Sequence, residues 1–110
     1  MLAKGDEGEM YICFAEYKIL PEHRAQYIIY TKGLLAESGN SVYLYEGTDQ
    51  PGLFVEVWNA ASEAEAERIK KERCSERSSW FRIASWISGG MEKMHVWTFK
   101  PVHQADKFNG

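Results

Sequence analysis

Residues 53–69 read LFVEVWNAASEAEAERI, and within them a strand pattern turns into a capped helix. Leu53, Val55 and Val57 alternate with Phe54, Glu56 and Trp58, the period-two signature of a strand whose two faces differ. Ser62 followed by Glu65 has the spacing of a capping box, in which each side chain satisfies a backbone N–H at the helix start. The early acids Glu63, Glu65 and Glu67 and the later bases Arg68, Lys70, Lys71 and Arg73 complement the helix dipole. This junction sets the phase of the second half of the chain.

Upstream, the turn formers Gly47-Thr48-Asp49-Gln50-Pro51-Gly52 join this strand as a hairpin to another at 42–46. In that earlier strand Val42 and Leu44 share one face, Tyr43 and Tyr45 the other. A first strand, apolar on both faces, is expected at 10–19, with Tyr11, Cys13, Ala15 and Tyr17 alternating against Ile12, Phe14 and Glu16. Pro21 suits the first turn of a helix. Ala25, Ile28, Ile29, Leu35 and Ala36 then suggest its inner face, and Ser38-Gly39-Asn40 its end.

Downstream, the apolar phase breaks at 74–79. Trp80, Ile83, Ala84 and Ile87 restore a helical stripe after a kink, with Ser78 or Ser79 as its cap. Ser88-Gly89-Gly90 stops it. The last strand, at 94–100, sets Met94, Val96 and Thr98 against His95, Trp97 and Phe99, and Pro101 ends it. One domain is expected at 10–102, between a polar lead-in at 1–9 and a polar tail at 103–110.

The element order is βαββαβ, which predicts an α+β, ferredoxin-like fold: a four-stranded antiparallel sheet with two helices on one face. The aliphatic set Val42, Leu44, Leu53, Val55 and Val57 is expected to face the helices. Tyr43, Tyr45, Phe54, Trp58, Trp97 and Phe99 would then lie on the open face, a larger apolar patch than a soluble monomer normally shows. A second copy packed sheet to sheet would cover it, so a symmetric homodimer is expected.

Composition narrows the function classes. The chain has 110 residues, 45% hydrophobic, 26% charged and 14% aromatic, with a net charge of −3. Such a chain supports one soluble core without metal or disulfide, and it lacks the concentrated basic face that nucleic-acid binding needs. Cys13 and Cys74 have no metal or redox spacing and read as free thiols in a reducing compartment. No apolar run is long enough to span a membrane, and the start is neither a signal nor a transit peptide. A cytoplasmic protein with no nucleic-acid or membrane partner is expected.

The segments FAEYKILPEHRAQY, FVEVWNAASEAEAE and MEKMHVWTFKPV resemble the dimeric α/β-barrel superfamily, and within it antibiotic-biosynthesis-monooxygenase-like domains. The resemblance spans about residues 10–102 and implies a ferredoxin-like subunit that dimerises through its sheet. It further implies roles such as cofactor-independent oxygenation of aromatic polyketides or haem degradation. The haem-degrading members' Asn, Trp and His fall near Ala15, Ala66 and Glu76, so haem cleavage is not expected. Where other members carry a His early in the second helix, this chain has Glu65 or Glu67.

Two side chains are candidate general bases. His95 is in phase with Trp97 and Phe99, and an imidazole can move protons near neutral pH. Its bland alternative is a histidine hydrogen-bonded at a dimer rim. Glu56, between Phe54 and Trp58, could take up a proton among rings; its alternative is an interface ion pair with an Arg or Lys. Trp58, Trp80, Trp97, Tyr43 and Tyr45 are the rings placed to hold a flat apolar substrate. Glu16 and His23 read as solvated, Cys74 as an inert thiol despite Arg73 and Arg77, and RIKKER as a solvated helix face. No metal-ligand cluster and no cofactor motif is present in the spacing. Three roles fit: a cofactor-independent monooxygenase acting on small aromatic molecules, a non-catalytic module binding an apolar small molecule, or a dimerisation protein without a ligand.

Overall fold

The computed structural model describes residues 10–39 and 41–103. The expected lead-in at 1–9, the helix-stop residue Asn40 and the tail from 104 onward lie outside the described residues. The strands are β1 (Tyr11–Lys18), β2 (Val42–Glu46), β3 (Leu53–Ala60) and β4 (His95–Phe99). The helices are α1 (Arg24–Ser38) and α2 (Glu63–Arg73). All strand pairings are antiparallel and the sheet order is β2-β3-β1-β4. This is the ferredoxin-like arrangement, and both helices pack on one face of the sheet.

Local signals place most of the elements. Ser62 Oγ accepts from Glu65 N at 3.1 Å, while the return arm of the box, Glu65 Oε1, accepts from Ala61 N at 3.1 Å. The second helical piece is a 3-10 segment, Ser79–Trp86, capped by Ser78 Oγ. Trp86 O accepts from Leu20 N and Lys18 O accepts from Ser88 N, which pins the end of that segment to the end of β1. Gly52 turns the hairpin into β3 at φ 92°, a left-handed value that a side chain disfavours.

Two phases differ from expectation. In β3 it is Phe54 and Glu56 that are buried under the helices, at 2% and 0% exposure, while Val55 and Val57 lie on the open face. Strand pairing fixes this. Cys13 opposes Trp58, Ala15 opposes Glu56 and Tyr17 opposes Phe54, so all six share the helix side. Phe54, Glu56 and Trp58 therefore do not face a partner sheet, and Leu53, Val55 and Val57 are not the helix-facing set. In α1, Tyr27, Thr31 and Leu34 point inward, whereas Ala25, Ile28, Ile29 and Ala36 are exposed.

Both corrections have one physical cause. The helix-side layer is organised around a buried carboxylate, and tyrosine hydroxyls reach that group where isoleucine cannot. Around it Ala15, Tyr17, Ile19, Tyr27, Phe54, Ile83 and Ile87 form the main core cluster. Cys13, Ala60, Ala66 and Ile69 form a second, and Leu34, Val42 and Trp80 a third.

The open face keeps its apolar character with altered membership. Tyr43, Tyr45, Trp97 and Phe99 are 45–56% exposed there, and Phe14 stacks on Trp97 with centroids 6.0 Å apart. Ile12, Phe14, Val55 and Val57 occupy the middle of the face by register.

Candidate functional site

The most constrained chemistry lies between β3 and α2. Each oxygen of Glu56 accepts two hydrogen bonds. Oε1 takes Arg73 Nε at 2.7 Å and Trp58 Nε1 at 2.8 Å. Oε2 takes Arg73 Nη2 at 2.6 Å and the Tyr17 hydroxyl at 2.5 Å. The Tyr17 proton is thereby committed to Glu56, so the Tyr27 hydroxyl donates to Tyr17 Oη at 2.7 Å. A continuous polar chain, Tyr27–Tyr17–Glu56–Arg73, thus crosses the core.

The fold explains each position. Ala66, Ile69 and Arg73 form the buried stripe of α2, at three- and four-residue spacing, so the arginine enters the core from the last turn. Its side chain is 1% exposed and its guanidinium carbon lies 5.2 Å from the Trp80 ring centroid. Trp58 meets Trp80 edge to face at 5.4 Å. One atom is left over: Arg73 Nη1 is buried and has no hydrogen-bond partner among the described residues.

Burial opposes the Arg73 charge, but the hydrogen bonds and charge of Glu56 outweigh it, so the guanidinium titrates above its ordinary range. Burial first, and the nearby Glu56 charge second, hold the Tyr17 hydroxyl well above the usual tyrosine value. Burial raises Tyr27 likewise, against a lowering contribution from its bond to Tyr17. Burial also pushes the Cys13 thiol up to about 11.

These shifts set an alkaline limit. An unfolded tyrosine releases its proton near pH ~10, while folded Tyr17 and Tyr27 still hold theirs. Above that pH the folded state binds more protons, so unfolding free energy must fall as pH rises. The loss starts one step earlier, above about pH 9, where an unfolded Cys13 thiol ionises and the folded one does not. With both tyrosines contributing, the slope approaches about 2.7 kcal/mol per pH unit. Urea midpoints between neutral pH and pH ~11 read this directly, and Tyr27→Phe is expected to flatten the decline. A midpoint unchanged through that window would contradict the buried chain.

Beside the chain opens a cleft of about 540 Å3, lined by Trp58 and Asn59 from β3, by Ile69 and Arg73 from α2, and by Ser75, Arg77 and Ser78 beyond it. Arg68, Glu65 and Glu72 complete its rim together with Ser41. A second cleft, about 460 Å3, lies at the far end of the sheet, with Glu16, Lys18, Lys93 and His95 on its walls.

The structure therefore separates the two candidate bases. Glu56 is on the helix side, and its oxygens are filled by four donors; its ion pair with Arg73 lies inside the subunit's core and not at the interface where one was expected. His95 is exposed on the open face, opposite Glu16 in register and stacked on Trp97 at 5.6 Å. Trp58 and Trp80 belong to the first group, and Trp97 lies with His95. Tyr43 and Tyr45 sit on the open face at the opposite edge, on β2. Sequence reasoning missed Arg73, Tyr17 and Tyr27 as members of the site. The available signal was Arg73 itself, which falls on the Ala66–Ile69 stripe and so calls for a buried carboxylate opposite.

Among the described residues, no group of three or more His, Cys, Asp or Glu is placed to hold a metal ion. Among the same residues, no helix is long and apolar enough to cross a membrane.

Comparison with known proteins places the fold. The chain is similar to a conserved protein from Methanosarcina mazei Go1, at 13% identity and TM-score 0.59 over 86% of this chain and 95% of that one. It is similar to Rv0793 from Mycobacterium tuberculosis, at 14% identity and TM-score 0.60, over 88% and 99%. A NIPSNAP family protein from Agrobacterium tumefaciens strain C58 matches at 16% identity and TM-score 0.60, over 87% and 89%. These likenesses show a shared ferredoxin-like fold. No protein-family model matches the chain, and no curated protein matches it.

Proposed function

We propose that this chain is the ligand-binding subunit of a symmetric homodimer, and that each subunit holds one flat, largely apolar small molecule between β3 and α2. The observation that carries the reading is the 540 Å3 cleft walled by Trp58 and Ile69. Its size suits a molecule of two or three fused rings. The Trp58 ring is held in place by its bond to Glu56, so the wall is preorganised and loses little freedom on binding. The resemblance to antibiotic-biosynthesis-monooxygenase-like domains supports the same ligand class, small aromatic molecules.

The dimer rests on the open face. Four rings there are about half exposed, which at ~200 Å2 per ring leaves roughly 400 Å2 of aromatic surface in water before Ile12, Phe14, Val55 and Val57 are added. That already reaches the size of the largest patch on an ordinary monomer, and a second sheet would remove it. Two such sheets face to face would make the dimeric α/β barrel.

Binding without catalysis is favoured over oxygenation because the Glu56 oxygens have no position left for a substrate proton. The oxygenase reading keeps one supporting observation, His95 facing Glu16 in the second cleft. Titration with anilinonaphthalene, a neutral fluorophore, separates the readings. One molecule is expected per subunit, with binding lost in Ser75→Trp, whose indole fills the cleft from its rim. No oxygen uptake is expected with an electron-rich phenol. Absence of any saturable site overturns the proposal, and oxygen uptake that disappears in His95→Ala replaces it with the enzyme.

A further inference from the structure

The charged groups around the β3–α2 cleft are nearly all engaged. Arg68 Nη1 donates to Glu72 Oε2 at 2.9 Å, and its Nη2 lies 3.6 Å from Glu65 Oε2. Arg73 commits Nε and Nη2 to Glu56. Two further cationic donors belong to side chains that line the cleft. One is Arg73 Nη1, buried without a partner among the described residues. The other is the Arg77 guanidinium, which lines the same cleft and is paired with no carboxylate among those residues.

A buried guanidinium N–H without an acceptor is costly, and native proteins keep few of them. Two hydroxyls add to the set. Ser75 Oγ accepts from Arg77 N, and Ser78 Oγ accepts from Trp80 N, which leaves each hydroxyl proton free to donate. Donors thus gather at one end of the cleft, and the Trp58 ring and Ile69 supply the apolar wall.

We propose that the cleft is built for an anionic flat molecule, whose carboxylate, sulfonate or phosphate group meets Arg73 Nη1 and Arg77 while its rings lie against Trp58 and Ile69. This rests on the cleft being the ligand site, and it adds the charge of the ligand. Glu56, Glu65 and Glu72 balance Arg68, Arg73 and Arg77 in formal charge, so recognition comes from directed donors and not from an overall positive field. Salt should therefore weaken binding only mildly, unlike attraction to a basic patch. A hydrogen bond from a charged donor to an anion in a cleft contributes roughly a factor of ten or more in affinity.

The experiment compares anilinonaphthalene with anilinonaphthalene sulfonate, two probes with the same rings that differ by one sulfonate. The sulfonate is expected to bind at least about tenfold more tightly. Arg77→Ala should bring it down to the neutral probe's affinity. Equal affinities for the two probes overturn the anion assignment and leave the cleft a ligand site. A sulfonate preference that survives Arg77→Ala also overturns it. Failure of both probes to bind removes the ligand-site reading and this inference with it.

Discussion

Arg73→Met is expected to lower unfolding free energy by about 3–5 kcal/mol, because it leaves the Glu56 carboxylate buried with no opposing charge. That is a large part of the ~5–15 kcal/mol that holds an ordinary domain together, so the unfolding midpoint should fall steeply. The loss comes from stranding a charge, and the double variant Glu56→Gln/Arg73→Met shows this. The introduced amide oxygen would still accept from Trp58, its NH2 would donate to the Tyr17 hydroxyl, and no net charge would be buried. The double variant should therefore recover at least half of what the single one loses. Urea midpoints with unchanged slopes measure both. A cost below about 1 kcal/mol for Arg73→Met would show that the pair is solvated, as surface ion pairs are.

Phe14→Glu is expected to have the second large effect, on assembly and not on folding. Phe14 is in a central strand of the open face, within 6.0 Å of Trp97 and 5.9 Å of Phe99. In the proposed dimer each copy brings its own residue 14 to the shared interface, so the substitution buries two like charges with no partner. Several kcal/mol of desolvation and repulsion follow, which is on the order of a thousandfold in dissociation constant. In an isolated subunit the same side chain reaches solvent, so the circular dichroism spectrum should be unchanged. Sedimentation at micromolar concentration is predicted to show wild-type dimer and variant monomer. Monomer in both would remove the dimer from the proposal.

The elements were legible in the sequence because they are written locally. Alternation at 42–46, the Ser62–Glu65 box and the Gly-rich stop at 88–90 each depend on neighbours a few residues away. The facing of β3 was not legible by the same route. Leu53, Val55 and Val57 look as buriable as Phe54, Glu56 and Trp58, and a one-residue change of phase exchanges the two sets completely. What decides between them is non-local: Arg73, 17 residues from Glu56, and Tyr17, 39 residues from it. In α1 the same network draws Tyr27 inward and leaves Ile29 74% exposed. Hydrophobicity ranks isoleucine above tyrosine for burial, but a hydroxyl that completes a buried polar chain reverses the order. The β4 face was legible because His95, Trp97 and Phe99 answer to no such partner.

The separation of Glu56 from His95 follows from that reversal. They appeared to share a face only while β3 was read in the opposite phase. The ring set divides in the same way: Trp58 and Trp80 border the Glu56–Arg73 pair, while Trp97, Tyr43 and Tyr45 belong to the open face.

The central claim is that the ligand enters between β3 and α2, on the helix side of the sheet. The chain has four tryptophans, so four indole N–H signals report on four places at once. In nitrogen-15 spectra titrated with anilinonaphthalene, the Trp58 indole is predicted to shift to saturation while the Trp97 indole stays in place. Movement of Trp97 with Trp58 unchanged would put the ligand on the open face and contradict the account.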